Sequence, residues 1–409
     1  MSARSLFLAA WVFLSVSAAW GASYKVLHTF AGGADGAYPN SPLVLDAQGN
    51  LYGVTNSGGN NGCDSSLSVG CGVIFALTPD GKGGWKEAIL HVFDESAEGG
   101  NAGAGVVADS SGNLYGTTQY YGPFDNGVLW QMQGEPGGKW KERILHPFHG
   151  TSDGFGCFGL SFNLRGRLFG TTYAGGKHDD GIVFELIESQ GKWRDVPIYD
   201  FAGGSKDGSS PSDALTFGPN GEIYGTTYEG GPHLTGTVFK MEHTASGWQE
   251  MPIYIFGGLP FGKSSDGTNP VAGVVMDEFG NLYGTADYGG ASGVGTVYKL
   301  SSNGKGGWTE HILHVFSDGK DGGHPSGLIR DAAGNLYGTT SGHNTNGSVY
   351  KMSPGADGKW TFTVLHDFTG GDDGGDPSGQ LVMDSAGNLY GATNLGGKDG
   401  LGVVFEIEP

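Results

Sequence analysis

One phrase, Gly-Asn-Leu-Tyr-Gly-Thr-Thr, recurs seven times along this chain and restricts the possible fold more than any other feature. It occupies residues 49–55, 112–118, 166–172, 221–227, 280–286, 334–340 and 387–393, with small variations such as Gly166-Arg-Leu-Phe-Gly-Thr-Thr172. Its aromatic residue falls at positions 52, 115, 169, 224, 283, 337 and 390, so the copies are separated by 63, 54, 55, 59, 54 and 53 residues. A sustained period of this length marks a repeat architecture, in which each copy is one supersecondary unit. A unit this short cannot bury two apolar faces alone, so neighbouring copies must stack.

Each copy resolves into four short runs of strand character separated by turn residues. In the sixth copy these are Ser326–Asp331 (a), Asn335–Thr340 (b), Gly347–Met352 (c) and Trp360–Phe368 (d). Run c keeps one pattern at 127–132, 181–186 and 295–300. Its aromatic and its final Leu or Met share one face, and Val occupies the other, because strand side chains alternate. Both faces are apolar, which suits a sheet packed between two others. Radial stacking of four-stranded sheets meets that requirement. Run d also occurs seven times, ending at Phe30, Phe93, Phe148, Phe201, Phe256, Phe316 and Phe368. Its first copy, residues 24–30, precedes any run a, whereas the last repeat stops after run c at 402–409. A linear solenoid has no use for that permutation and needs capping repeats. The sequence therefore predicts an all-β fold: a seven-bladed β-propeller of four-stranded antiparallel blades over residues 23–409. Its ring is closed by strand 24–30, which completes the blade formed by 369–409.

Composition agrees. Glycine makes up 80 of the 409 residues, more than helices tolerate but suited to many tight turns. The 22 Phe, 17 Tyr and 9 Trp supply a core. The net charge of −20 repels phosphate backbones and argues against nucleic acid as a partner. Residues 1–22 have the order of a secretory signal peptide: Arg4, an apolar run from Leu6 to about Val16, then small residues with cleavage between Ala18 and Ser23. That run is short for a bilayer span and no later segment is long enough, so the mature chain is expected to be secreted, without a transmembrane segment, as a monomer. Cys63 and Cys71 share one loop and can form a disulfide in an oxidising compartment, while Cys157 is left as a buried thiol. No second Cys or His pair accompanies them to suggest zinc.

The seven-fold phrase, the Gly-Gly loop that follows it and the Leu-His-x-Phe end of run d resemble the choice-of-anchor tandem repeat GloVer-containing family of exported bacterial proteins. The resemblance covers nearly all of the chain after residue 22. It implies an extracellular destination and brings no established activity or catalytic residues. Family members often carry a C-terminal sorting segment. This chain ends at Pro409 directly after run c, so free secretion is expected.

Candidate functional residues follow from comparing the seven copies. In such blades the d→a and b→c loops share one face of the disc, and the a→b and c→d turns share the other. The a→b turns are uniform, whereas the b→c loops vary, and variation on one face of a repeat fold is where binding sites gather. His178, His233, His324 and His343 fall in these loops in different contexts and are the candidate ligand contacts. Arg330 joins them as the one basic residue among its run a equivalents. The d→a loops repeat Asp-Gly-x-x-Pro, which would set Asp35, Asp153, Asp207, Asp266, Asp321 and Asp373 in a ring near the channel mouth. That ring could collect Ca²⁺, a hard cation needing several oxygens. The scaffold reading is simpler, since Asp-Gly is favourable turn chemistry. His28, His91, His146, His314 and His366 share one position in run d, where Tyr199 and Tyr254 stand in the other copies. The exchange suggests a packed planar group with one polar tip, and not a metal ligand. No nucleophile elbow, zinc-protease or phosphate-loop motif is present. The expected function is therefore non-catalytic recognition of a glycan, peptide or protein. The rivals are a polysaccharide hydrolase or lyase at the channel mouth and a purely structural surface protein. No cofactor is required, with Ca²⁺ the one candidate.

Overall fold

The repeated phrase contains both a turn and a packing contact. We describe a computed structural model covering residues 21–60, 62–63, 70–103, 105–136, 138–258, 261–342 and 345–409. Residues 1–20 of the signal peptide read over 1–22, and His343, lie outside these residues. In the a→b turn, Asp46 accepts backbone N–H groups from Gln48 and Asn50 at 2.9 and 2.8 Å. It also takes the Asn50 amide at 2.8 Å and the Tyr52 hydroxyl at 3.1 Å. Asp109, Asp277, Asp331 and Asp384 make the same contacts to the Asn and Tyr of their own copies. An Asp side chain folding back on its own turn is the reason this hairpin is uniform.

The second Gly of the phrase sits opposite the aromatic residue of strand c, as in Gly53↔Phe75 and Gly391↔Phe405. A Cβ there would lie 2.5 Å from the Phe75 ring and 2.2 Å from Trp130 at Gly116, with similar clashes in every copy. The aromatic thus lies flat across its own sheet, and only glycine leaves it room. We expect Gly391→Ala to cost about 2 kcal/mol through overpacking. Urea denaturation checks this, and Gly134→Ala, whose Cβ would meet only Trp140 at 3.9 Å, serves as the comparison.

Among the described residues the strands form seven blades, each ordered a-b-c-d. In blade 4 the inner strand is split into Gly208–Pro211 and Thr216–Phe217. In blade 5 it continues as a short pairing of Gly267–Thr268 with Tyr288–Gly289. The predicted closure is present: strand Ser23–Thr29 pairs antiparallel with Val403–Glu408, alongside Leu389–Leu395 and Gly375–Met383. Six of the seven c–d pairs shift register at the same point, for example between Val183 and Phe184, and the closing pair shifts between Val26 and His28. The N-terminal strand therefore reproduces a strand d in detail. The bulge bends the outer strand just before the repeated His or Tyr.

Packing between blades explains the other repeated residues. The Trp that opens strand d meets, edge-on, the strand b aromatic of the preceding blade: Trp140 on Tyr52, Trp248 on Phe169, Trp308 on Tyr224, Trp360 on Tyr283 and Trp85 on Tyr390. The repeated His or Tyr packs edge-on against the Phe two residues later in all seven copies. The inner strands surround an axial cavity of about 430 Å³ lined largely by apolar side chains, with Ser161, Asp213, Thr216 and Gln380 as its polar members. Among the described residues no helix is long and apolar enough to cross a membrane.

Candidate binding face

The phrase Asp-Gly-x-x-Pro builds the loop face, and each of its positions has a separate task. The Asp turns back to strand d. Asp35, Asp153, Asp207, Asp266, Asp321 and Asp373 each accept the N–H of the residue just after that strand, for example Ala31 at 2.6 Å and Ala202 at 2.8 Å. Each also meets the repeated His or Tyr of its own strand d, as in His146–Asp153 at 2.9 Å and Tyr254–Asp266 at 3.0 Å. These carboxylates therefore stand beside the outer strands, one per blade junction, and not gathered at the channel mouth. The Pro packs on a glycine that opens strand c of the preceding blade, as Pro39 does on Gly402 and Pro211 on Gly181.

The residue before the Pro is different. Its backbone is fixed in the left-handed region in every copy: Tyr38 at 56°, Asn101 at 59°, Gly156 at 63°, Ser210 at 58°, Asn269 at 56°, His324 at 51° and Asp376 at 54°. Six of its N–H groups donate to the preceding blade, such as Asn269 to Thr235 at 2.7 Å and His324 to Val294 at 2.8 Å. A left-handed conformation costs a non-glycine residue about 1 kcal/mol or more, so the neighbouring blades hold it there. The backbone is constant while the side chain is free to differ, and it differs in nearly every copy. The residue that follows the repeated phrase lies alongside and also varies: Asn56, Gln119, Tyr173, Tyr228, Asp287, Ser341 and Asn394. Asn56 and Asp287 donate their N–H groups to Tyr38 and Asn269 respectively, tying the two positions together.

Two halves of this face have distinct character. Across blades 7, 1 and 2 a concavity of about 690 Å³ is lined by Tyr38, Asn56, Asn101, Tyr120, Tyr121 and Asn394, with Cys63 at its wall. Cys63 and Cys71 are disulfide-bonded, as the sequence allowed, and pin that wall. Across blades 4 to 6 an aromatic series runs from Tyr228 to Phe261 to Tyr288 to His324. His324 Nδ1 lies 3.0 Å from Asp287 Oδ1, and this bond raises the histidine pKa against the effect of burial. Burial, with Asp287 close by, also pushes the Tyr228 hydroxyl upward. Exposed apolar side chains gather here as well. Tyr120, Phe124, Leu234 and Phe261 lie in the d→a or b→c loops and Phe155 and Leu395 at the strand ends that meet them, whereas the opposite turns show only Leu164 and Phe279 among the described residues.

Of the sequence candidates, His324 is brought into this face, while His178 and His233 stand exposed in their loops. Arg330 lies at the other mouth of the channel. It pairs with Glu278 of the preceding blade at 3.0 Å and lines a cavity with Asp46, Gln380 and Asp384. Cys157 is a buried free thiol whose pKa burial pushes up to about 12. The ring of residues before the Pro was missed from sequence because each looks like a spacer. The available signal was variation between invariant neighbours.

A sequence profile of the Gloeobacter/Verrucomicrobia repeat matches residues 14–156, 63–259, 136–310 and 304–409. The chain belongs to this repeat family. Comparison with curated proteins gives no match. Among solved structures it is similar to virginiamycin B lyase from Staphylococcus aureus, with 12% identity and a TM-score of 0.56 over 95% of this chain and 99% of that one. It is also similar to the extracellular domain of a candidate one-component system from B. thetaiotaomicron, with 13% identity and a TM-score of 0.53, over 93% of this chain and 40% of that one. A candidate 6-phosphogluconolactonase from Bacteroides uniformis has 16% identity and a TM-score of 0.51, over 81% of this chain and 85% of that one. At these identities the likeness is one of fold, and a fold does not carry a function with it.

Proposed function

We propose that this family member is an exported recognition propeller that binds a glycan or peptide on its loop face. The observation that carries the reading is the ring at the residue before the Pro: seven backbones held alike carry a side chain that changes in nearly every copy, with Tyr38, Asn101, Gly156 and Asp376 part-exposed and Ser210, Asn269 and His324 buried behind them. A scaffold would repeat the side chain as it repeats the backbone. Exposed aromatics beside fixed polar groups suit ligands with both apolar faces and hydroxyl or amide edges. Burial of the two outer faces between blades leaves the loop face as the place where sequence can change without loss of the ring. A screen of the purified mature protein on glycan and peptide arrays, with and without Ca²⁺, tests this. Saturable binding to a defined class is expected. Absence of binding on both arrays contradicts the proposal.

The bonded His324–Asp287 pair favours a second reading, a hydrolase or lyase acting on the same ligands, since a histidine oriented by a carboxylate is a common acid–base arrangement. Turnover of array-selected ligands, lost in His324→Ala, would establish it.

A further inference from the structure

At each blade junction the repeated His or Tyr of one strand d meets the acid of the following loop and the third residue of the next strand d. That third residue is Glu87, Glu142, Asp195, Glu250 or Glu310 in five junctions, and an aromatic in the other two, where Phe362 stacks on His314 and Tyr24 on His366. The junction between blades 2 and 3 departs from this pattern twice. Three residues after His146 stands His149, where the other copies have Ala31, Asp94, Ala202, Gly257, Ser317 and Thr369. Facing His146 is Asp195, shorter by one methylene than the Glu of its counterparts.

These two departures converge. His146 Nε2 lies 2.9 Å from Asp153 Oδ2 and 3.2 Å from Asp195 Oδ1, and His149 Nδ1 lies 2.8 Å from the same Asp153 oxygen. The Asp195 side chain is only 7% exposed, and its second oxygen is buried with no hydrogen-bond partner among the described residues. Phe124 packs at a tilt against the His149 ring, with centroids 4.1 Å apart, while His149 itself remains about half exposed and offers a route in from solvent.

We propose that His146, His149, Asp153 and Asp195 form a site for a divalent transition metal of the zinc class, joining the outer strands of blades 2 and 3. Two imidazoles and two carboxylates match zinc's preferred donors and its four-coordinate geometry. At Zn–N and Zn–O distances of about 2.0–2.1 Å the edges of a tetrahedral site are about 3.3 Å, close to the three contacts of 2.8–3.2 Å; His146, His149 and Asp153 already share reach of one ion, and Asp195, held against His146, would swing inward to complete the set. Calcium suits this donor set poorly, because it takes six to eight oxygens. The junctions at His28 and His91 hold one histidine with two carboxylates and are weaker competitors.

Titration calorimetry of the EDTA-stripped mature protein with ZnCl₂ tests the site. We expect one ion per chain with micromolar or tighter affinity, weakened at least about 10-fold in both His149→Ala and Asp195→Asn. His149→Ala should fold, because Ala31 and Ala202 occupy the same place in other copies, and Asp195→Asn keeps the side-chain shape. No saturable zinc heat at 100 µM protein (about that concentration suffices for micromolar binding) overturns the proposal. Zinc binding unchanged in both variants overturns it equally, since the ion would then sit elsewhere.

Discussion

A chain lacking Ser23–Phe30 should either fail to fold or melt at least about 10 °C below the intact mature protein. That segment supplies the outer strand of the seventh blade, and among the described residues no other strand pairs with that edge of Val403–Glu408. It buries Phe30 completely and stacks Tyr24 on His366 of blade 6 at 3.7 Å, so it binds two blades at once. Burial of one such aromatic contributes about 2–3 kcal/mol, and the strand adds a row of backbone hydrogen bonds. Scanning calorimetry of the two chains checks the shift. A synthetic peptide of residues 21–32 added in excess should restore part of it, because the strand pairs with an edge that is otherwise complete. A truncated chain as stable as the intact one would mean that the ring does not depend on this closure.

The second large effect is an inverted dependence of stability on pH. Burial, reinforced by a nearby carboxylate, raises four junction acids: Glu87 to about 8, Glu142 to about 7, Glu250 to about 8 and Glu310 to about 9. Each is therefore expected to keep its proton in the folded chain at pH values below its raised pKa, where the unfolded chain would have lost it above about pH 4.5. Folding then takes up protons, so stability is greatest below the unfolded pKa and is lost as pH rises through 7 to 9. His91, also raised against its own burial by Glu98, adds in the same direction. His314 and His366 are lowered by burial and oppose it. At the acid end, burial of Asp35 and Asp153 is outweighed by their hydrogen bonds, which hold both at about 2, so their contribution is lost only below the ordinary carboxylate range. We expect the melting temperature at pH 5 to exceed that at pH 9 by about 5 °C or more. Glu87→Gln and Glu310→Gln should each flatten the slope. A melting temperature that rises steadily from pH 5 to pH 9 would show that these acids ionise freely in the folded state.

Much of the architecture was legible because repetition makes one chain its own comparison. The order of the runs, with strand 24–30 early and strand d missing at the end, foretold ring closure, and the exchange of His with Tyr foretold a packed ring with a polar tip. Distances across the disc were not legible. Asp35 and its equivalents were assigned to the channel mouth because the d→a loops share the variable face of the disc. The sequence could not show that the side chain turns back to a histidine seven residues earlier. Nor could it show that Glu87, fifty residues on, closes the same junction. The importance of Tyr38 and its counterparts was hidden for another reason: a constant backbone with a changing side chain reads as a spacer until the left-handed geometry is seen.

The measurement that bears most directly on the loop face as the recognition surface is a paired comparison of the two ends of the disc. Affinity for the strongest array ligand would be measured for Tyr38→Ala/Tyr120→Ala on the loop face and for Leu164→Ser/Phe279→Ser on the opposite turns. Loss of at least about 10-fold in the first pair, as expected for truncated aromatic contacts, with the second unchanged, is the result this account predicts. Loss confined to the second pair would place recognition on the uniform face and contradict it.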